Sequence, residues 1–446
     1  MDSDEIAAAL EQHAHDAVRL AQRLGADQSE VGVSYDEGLN VTVRMGQLES
    51  VERQKDRGLA VTVYKNKCKG NASTSDFARA GIEETVRKAL SIASFTTTDS
   101  YAGLADAELM ADAPPELDLY HPWDLDVDAA SELALRAEDA ARGVDARIDN
   151  SEGATASTGG SLRAYANSHG FLGSYPSTHH SMSCSVVARQ DDSLERDYWY
   201  TVARCADELG APEQVGQEAA RRAVRRLGSR QLSTRVVPVL FPAEVARGLF
   251  GHLVAAISGT SQYRRASFLL DAIDEKVFAT HVNIVEDPHI PRAMGSAPFD
   301  GEGVTTRRRQ LVADGVLQGY VLSSYSARRL GMQTTGNAGG VHNLLVEPTA
   351  GSLQSLMTEC AQAFMVTELL GQGANTVTGT YSRGAAGYWI ERGEIAYPVS
   401  EVTIAGQLSE MFERIAGIGN DIDLRGTVRC GSVLVEGLTV AGQSAG

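Results

Sequence analysis

The residues with the greatest potential for chemistry lie between Pro242 and Ser258, where His252 stands on an apolar helical pattern. Val245, Leu249, Leu253 and Ile257 recur there at intervals of four, and Pro242 suits a first helical turn. An imidazole can ligate a divalent metal. In the pattern His-Glu-x-x-x-His, another imidazole and a proton-accepting carboxylate precede it by five and four residues. Those two positions hold Arg247 and Gly248. A fixed guanidinium charge repels a divalent cation, and glycine has no side chain to take a proton from metal-bound water. Residues five apart on an ideal helix also stand about 140° apart, so ligands at 247 and 252 would require a distorted or ending helix. Cys430, in Val-Arg-Cys-Gly-Ser-Val-Leu-Val, offers a thiolate for a soft or borderline metal. Each has a plainer reading, His252 as a hydrogen-bonded core histidine and Cys430 as a small buried hydrophobe. Zinc sites normally use three or four protein ligands, so His252 and Cys430 make half a site. No complete metal centre and no catalytic residue is expected in this chain.

A second run, Gly379 to Trp389, brings polar tips at Tyr381, Arg383 and Tyr388 next to Gly384 and Gly387, where backbone can approach closely. It reads either as the lining of a peptide channel, shared with Arg247, or as a structural loop. His179-His180 and the group His281, Glu286, Asp287 and His289 lack metal spacing and read as surface polar groups. Asp300 and Glu302 sit two apart in a glycine-rich turn, where carboxylates usually satisfy loop amides; as an acid/base pair they would give an independent hydrolase. No phosphate-binding loop or nucleophile elbow is present.

The elements that must position these residues divide into three segments. Residues 1–110 open with an amphipathic helix, Asp2 as candidate N-cap and Gly25 just past its end. Alternating stretches at 30–35, 40–45 and 59–64, separated by Gly- and Asp-containing turns, predict three or four antiparallel strands. A second helix capped by Ser75 or Asp76 completes a two-layer α/β sandwich. Two prolines break the pattern near 110–115. Residues 116–228 predict helices at 128–142 and 212–227 with strands near 162–167, 181–189 and 197–203. Residues 234–446 are strand-rich, with hairpins across Asp314-Gly315 and across 391–394 and a closing strand at 433–440. The fold class is α+β, the last segment a mostly antiparallel sheet.

A chain of 446 residues exceeds the size at which one core keeps growing, and 43% apolar against 22% charged residues is ordinary globular composition. A net charge of −18 repels phosphates and argues against nucleic acid as a partner. Five scattered cysteines fit a reducing cytoplasm, the acidic N-terminus is unlike a secretory signal, and no run is long enough to span a bilayer. A cytoplasmic protein without a membrane partner is expected.

The strings Gly-Leu-Phe-Gly-His-Leu-Val (248–254), Ser-Phe-Leu-Leu-Asp (267–271), Pro-Phe-Asp-Gly-Glu-Gly-Val (298–304), Tyr-Ser-Ala-Arg-Arg-Leu-Gly (325–331), Tyr-Ser-Arg-Gly-Ala-Ala-Gly (381–387) and Cys-Gly-Ser-Val-Leu (430–434) together resemble the PmbA branch, also called TldE, of the TldD/PmbA metallopeptidase family. The resemblance implies a cytoplasmic heterodimer that encloses unfolded or short peptides. A TldD-type partner would carry the zinc and the complete His-Glu-x-x-x-His helix, while this chain holds no cofactor and completes the chamber. The family's first histidine falls on Arg247, its general base on Gly248, its second histidine on His252 and its cysteine on Cys430. A non-enzymatic peptide-binding or scaffold homodimer is the alternative that the missing ligands equally permit.

Overall fold

Leu10, Ala14, Ala17, Val18 and Ala21 are buried at three- and four-residue spacing, which makes α1 (Ser3–Arg23) an amphipathic helix. The computed structural model describes residues 3–442, so the expected cap Asp2 lies outside the described residues. Gly25 ends the helix as expected, with φ +93° and its N–H bonded back to Gln22. β1 (Gln28–Arg44) and β2 (Gln47–Lys65) then form one long hairpin turned at Met45 and Gly46, both at positive φ, and β3 (Cys68–Thr74) pairs with β2. The two strands expected at 30–35 and 40–45 are thus a single strand. The Asp36–Gly38 stretch continues the ladder on both sides, Gly38 lying opposite Gln54 and Gly159. α2 (Arg79–Phe95) starts later than expected, because Asp76 accepts the Ala78 N–H at 2.9 Å in a turn ahead of the helix and leaves Ala78 as the N-cap.

α3 (Val127–Arg142) is capped by Asp126, whose carboxylate accepts the Ala129 N–H at 2.8 Å. β4 (Ile148–Asn167), β5 (Leu172–Gln190), β6 (Ser193–Ala203) and α4 (Pro212–Arg226) follow. β4 pairs with β1 from Ala154 to Asn167, so strands from the first two segments share one antiparallel six-stranded sheet, ordered β3-β2-β1-β4-β5-β6. Val31, Val33, Leu39, Val41 and Val43 all point from β1 to one face. α1 and α2 cover one half of that face, and α3 and α4 cover the other.

The last segment runs β7 (Arg235–Phe241), α5 (Ala243–Ala256), α6 (Gly259–Tyr263), β8 (Ile284–Asp287), β9 (Arg309–Ala313), β10 (Val316–Leu317), α7 (Ser324–Leu330), β11 (Asn343–Val346), α8 (Leu353–Thr358), β12 (Gln362–Leu370), β13 (Thr380–Glu391), β14 (Glu394–Gln407), α9 (Leu408–Glu413), β15 (Ile415–Ile418), β16 (Val428–Arg429) and β17 (Val433–Ala441). Strands β14, β13, β12, β7 and β17 close on themselves through β14–β17 pairing, giving a barrel-like sheet. Among the described strand-to-strand pairings β7–β12 and β11–β16 are parallel, and isolated parallel bridges join Arg230 to Val399 and Ser258 to Val321. Phe241, Phe250, Phe364, Trp389 and Phe412 fill the core of this segment. Both expected hairpins form, each turned by two residues at positive φ, Asp314-Gly315 and Arg392-Gly393. The first is shorter than its apolar pattern suggested: β10 has two residues, and Ser323 soon caps α7.

Where α3 crosses α4, Gly216 lies so close to the Ala137 carbonyl oxygen that an added Cβ would sit 1.8 Å from it. Gly216→Ala is therefore expected to lower stability by about 2 kcal/mol in urea denaturation, despite alanine's better helix propensity.

Candidate functional site

α5 presents two faces. Ala246, Leu249, Phe250 and Leu253 enter the core, while Glu244, Arg247, Gly248 and Gly251, spaced i, i+3, i+4 and i+7, share the opposite, open side. The helix is regular through 247–252, so the distortion that paired ligands would require is absent. Arg247 and His252 consequently face different surroundings. Arg247 donates from Nη1 to the Tyr200 hydroxyl at 3.1 Å. His252 packs edge-on against Tyr381, ring centroids 5.9 Å apart. Burial, reinforced by the positive charge of Arg383, holds the His252 imidazole below its ordinary value and so neutral.

Cys430 is fully buried, its thiol 3.8 Å from the Ala243 carbonyl at the start of α5. Burial pushes the thiol far up, which keeps it protonated. Arg247 is close enough to act on this thiol electrostatically, whereas His252 reaches toward β13. His252 and Cys430 are thus not brought to one point by contacts. Among the described residues, no three His, Cys, Asp or Glu side chains converge as a metal site would require.

Arg247 and Gly248 line a cavity of about 380 Å³ between β6, α4, α5 and strands β12 and β13. Its aromatic wall is Tyr198, Trp199 and Tyr200, with the Arg425 guanidinium 4.3 Å from the Trp199 ring centre and 4.5 Å from that of Tyr200. Arg425 also grips Asp423 in bidentate fashion at 2.8 and 3.0 Å. Burial works against the Asp423 charge, but Arg425 overcomes it and keeps the carboxyl below its usual range. Opposite lies an ion network: Arg222 bridges Asp197 and Glu244 at 3.2 and 2.8 Å, and Arg226 bridges Glu195, Asp197 and Glu368. Burial disfavours the Arg222 charge, yet Asp197 and Glu244 more than offset it.

Of the channel residues expected on β13, Arg383 lines the cavity. Tyr381 is core instead, 1% exposed, its hydroxyl without a hydrogen-bond partner among the described residues. Tyr388 is buried with Leu240, Met365 and Ile390 and does not line the cavity. Burial pushes both phenols up to about 12. The close backbone approach expected at Gly387 is present: an added Cβ would meet the Met365 carbonyl oxygen at 1.9 Å.

Two readings of polar groups as surface features fail. His180 is fully buried, with Thr158 at 2.9 Å from one ring nitrogen and the His121 carbonyl at 2.8 Å from the other. Glu286 is buried and receives Arg309, the Asn337 amide and the His342 N–H. Asp300 spends its carboxylate on the N–H groups of Glu302, Val304 and Ala338, and Glu302 accepts the Ser324 N–H, as loop-satisfying carboxylates do. Burial raises Asp300 to about 6. The wall of Tyr198 to Tyr200 and the Asp197 network escaped the sequence reading. The signals were present in the Arg-Asp-Tyr-Trp-Tyr run at 196–200 and in Arg222 and Arg226, one turn apart on α4.

Family models described as PmbA/TldA metallopeptidase domain 1, central domain and C-terminal domain match residues 29–93, 120–227 and 234–442. The metalloprotease PmbA of Escherichia coli O157:H7 is 46% identical, covering 97% of this chain and 96% of its own. The PmbA homolog of Haemophilus influenzae is 47% identical over 96% of this chain and 94% of its own. A solved Bacteroides thetaiotaomicron protein, described as a candidate modulator of DNA gyrase, superposes with TM-score 0.92 at 26% identity, covering 97% of this chain and 99% of its own. TldE from Thermococcus kodakarensis shares the fold, with TM-score 0.82 at 20% identity over 96% of this chain and all of its own.

Two measurements check the site's physics. Nothing lies within 4 Å of a Cβ built on Gly248, so Gly248→Ala is expected to stabilise the chain by about 0.5–1 kcal/mol in urea denaturation, opposite in sign to Gly216→Ala. Because burial depresses the folded-state pKa of His252, the unfolded chain binds the extra proton as pH falls below about 6.5. The His252 contribution to stability is therefore intact above that pH and lost below it, and His252→Gln should flatten the fall in melting temperature between pH 7 and pH 5.

Proposed function

The chain belongs to the PmbA/TldA metallopeptidase family, and on that premise we propose that it is the PmbA/TldE-type subunit of a two-subunit metallopeptidase. In this reading it shapes a chamber for unfolded or short peptides, and a TldD-type partner carries zinc and hydrolyses the amide bond. Zinc bound in that partner would polarise the scissile carbonyl and activate water. One observation carries the division of labour: the two positions of α5 that would need an imidazole and a carboxylate hold Arg247 and Gly248, within a helix otherwise kept whole.

This chain's own residues have binding roles in the proposal. Arg247 is steadied by Tyr200, so its charge occupies the space that a cation would need. Tyr198, 55% exposed, offers flat apolar surface to a peptide's side chains, while the Trp199 and Tyr200 rings are covered by guanidiniums, and Arg383 faces the same cavity from β13. Operation in the cytoplasm belongs to the same proposal. All five cysteines are free, and among the described residues no helix is long and apolar enough to cross a membrane.

The test is to purify the chain alone and together with a TldD-type subunit, quantify zinc by mass spectrometry, and follow cleavage of a reduced, alkylated model protein. Zinc and chelator-sensitive cleavage are expected only in the complex. One zinc per lone chain held through His252, with cleavage at the partnered rate, overturns the proposal. A stable homodimer that refuses the TldD-type subunit also overturns it, in favour of a peptide-binding scaffold.

A further inference from the structure

Five arginines and three carboxylates line the 380 Å³ cavity. The carboxylates are all engaged: Asp197 and Glu244 with Arg222, and Asp197 and Glu368 with Arg226. Arg196 is paired outside the cavity, 3.3 Å from Glu152. Arg247 and Arg383 are left as the two lining guanidiniums with no carboxylate partner among the described residues. Arg247 makes one hydrogen bond, to the Tyr200 hydroxyl. Asp423, the carboxylate nearest in influence, is already held bidentately by Arg425. Arg383 makes one bond that meets hydrogen-bond geometry, from Nη2 to the Leu369 carbonyl at 3.3 Å; its guanidinium also lies beside the Tyr381 hydroxyl, and its Nε is buried with no partner of good geometry among the described residues.

A guanidinium carries five donors in a planar fork, and of those on Arg247 and Arg383 the Arg383 Nε is buried with no partner among the described residues while the unbonded remainder opens toward the cavity. Leaving that buried donor unmet is costly, and in a chain of net charge −18 a local surplus of positive charge needs a reason. We propose that Arg247 and Arg383 form a subsite that takes the carboxylate of a peptide, with Tyr200 positioning Arg247. The cavity volume is at the lower end of the range for small-ligand sites, enough for the end of a chain rather than its length. A planar carboxylate matches the fork, and its single charge meets less repulsion from the surrounding acidic protein than a phosphate dianion would. The exposed ring of Tyr198 gives the adjoining residue a surface to lie on.

The inference rests on the peptide reading above for its choice of ligand, but its test needs no partner and no turnover. Fluorescence-labelled acetyl-trialanine, its C-terminal amide, and acetyl-Ala-Glu-Ala amide are titrated against the full-length chain at low salt. Tighter binding of the free terminal carboxylate than of the plain amide, by about tenfold, is expected, and equal gain from the internal glutamate assigns the subsite to acidic side chains as well. Arg383→Gln and Arg247→Gln should each remove the preference, Arg383→Lys should retain part of it, and Tyr200→Phe should weaken it, all with unchanged circular dichroism. Equal binding of acid and amide overturns the inference, as does a preference that survives both glutamine variants. Inorganic phosphate that binds and fails to compete with the free acid overturns it too. A confirmed preference in a chain that captures no TldD-type subunit would leave the subsite standing and remove the two-subunit reading, so the two failures are separable.

Discussion

Arg222 and Arg226, projecting from one face of α4, hold together elements that are far apart in the chain. Their carboxylate partners come from β6 (Glu195, Asp197), α5 (Glu244) and β12 (Glu368), so one ion network ties the end strand of the six-stranded sheet to the barrel. Asp197 is 6% exposed in its side chain and shared by both arginines. Removing one member of such a network leaves an uncompensated charge in a poorly hydrated place, which makes the geometry all-or-none rather than gradually adjustable. Arg222, Arg226, Asp197, Glu244 and Glu368 line the cavity beside α5 together with Arg247, Tyr200 and Arg383.

Charge bookkeeping inside the cavity then explains why its residues divide in character. Paired arginines are structural and unpaired ones are available. The neutral His252 and the protonated Cys430 are the two positions best matched to metal ligands, yet each is turned toward protein: the imidazole toward Tyr381, the thiol toward the Ala243 carbonyl. Family membership is shown by sequence over nearly the whole chain.

Much of this was legible beforehand, for identifiable reasons. α5, the two positive-φ hairpin turns, and the helices beginning at Val127 and Pro212 follow from local periodicity and turn chemistry, which tertiary contacts did not override. The length of β1 was not legible, since Asp36–Gly38 looks like a turn until β2 and β4 pair with it from both sides. Nor was the burial of His180 and Glu286, whose partners lie far away in sequence. The candidate site was half visible. Arg247 and Arg383 could be named from their motifs, but their lack of carboxylate partners depends on which acids α4 and Arg425 had already claimed. Tyr381 and Tyr388 illustrate the converse, polar tips on a glycine-rich run that packing drew into the core.

Consider the ladder between β1 and β4, where Glu30 meets Asn167. On the ribosome, the edge of β1 emerges long before its neighbour is synthesised, and for that interval it offers unpaired N–H and C=O groups along a valine-rich strand. A nascent chain in this state is open to intermolecular strand pairing. Cutting the polypeptide between the first two segments would make that interval permanent. Standing alone, the β1–β2–β3 unit with its two helices would leave one side of β1 without the partner that β4 supplies.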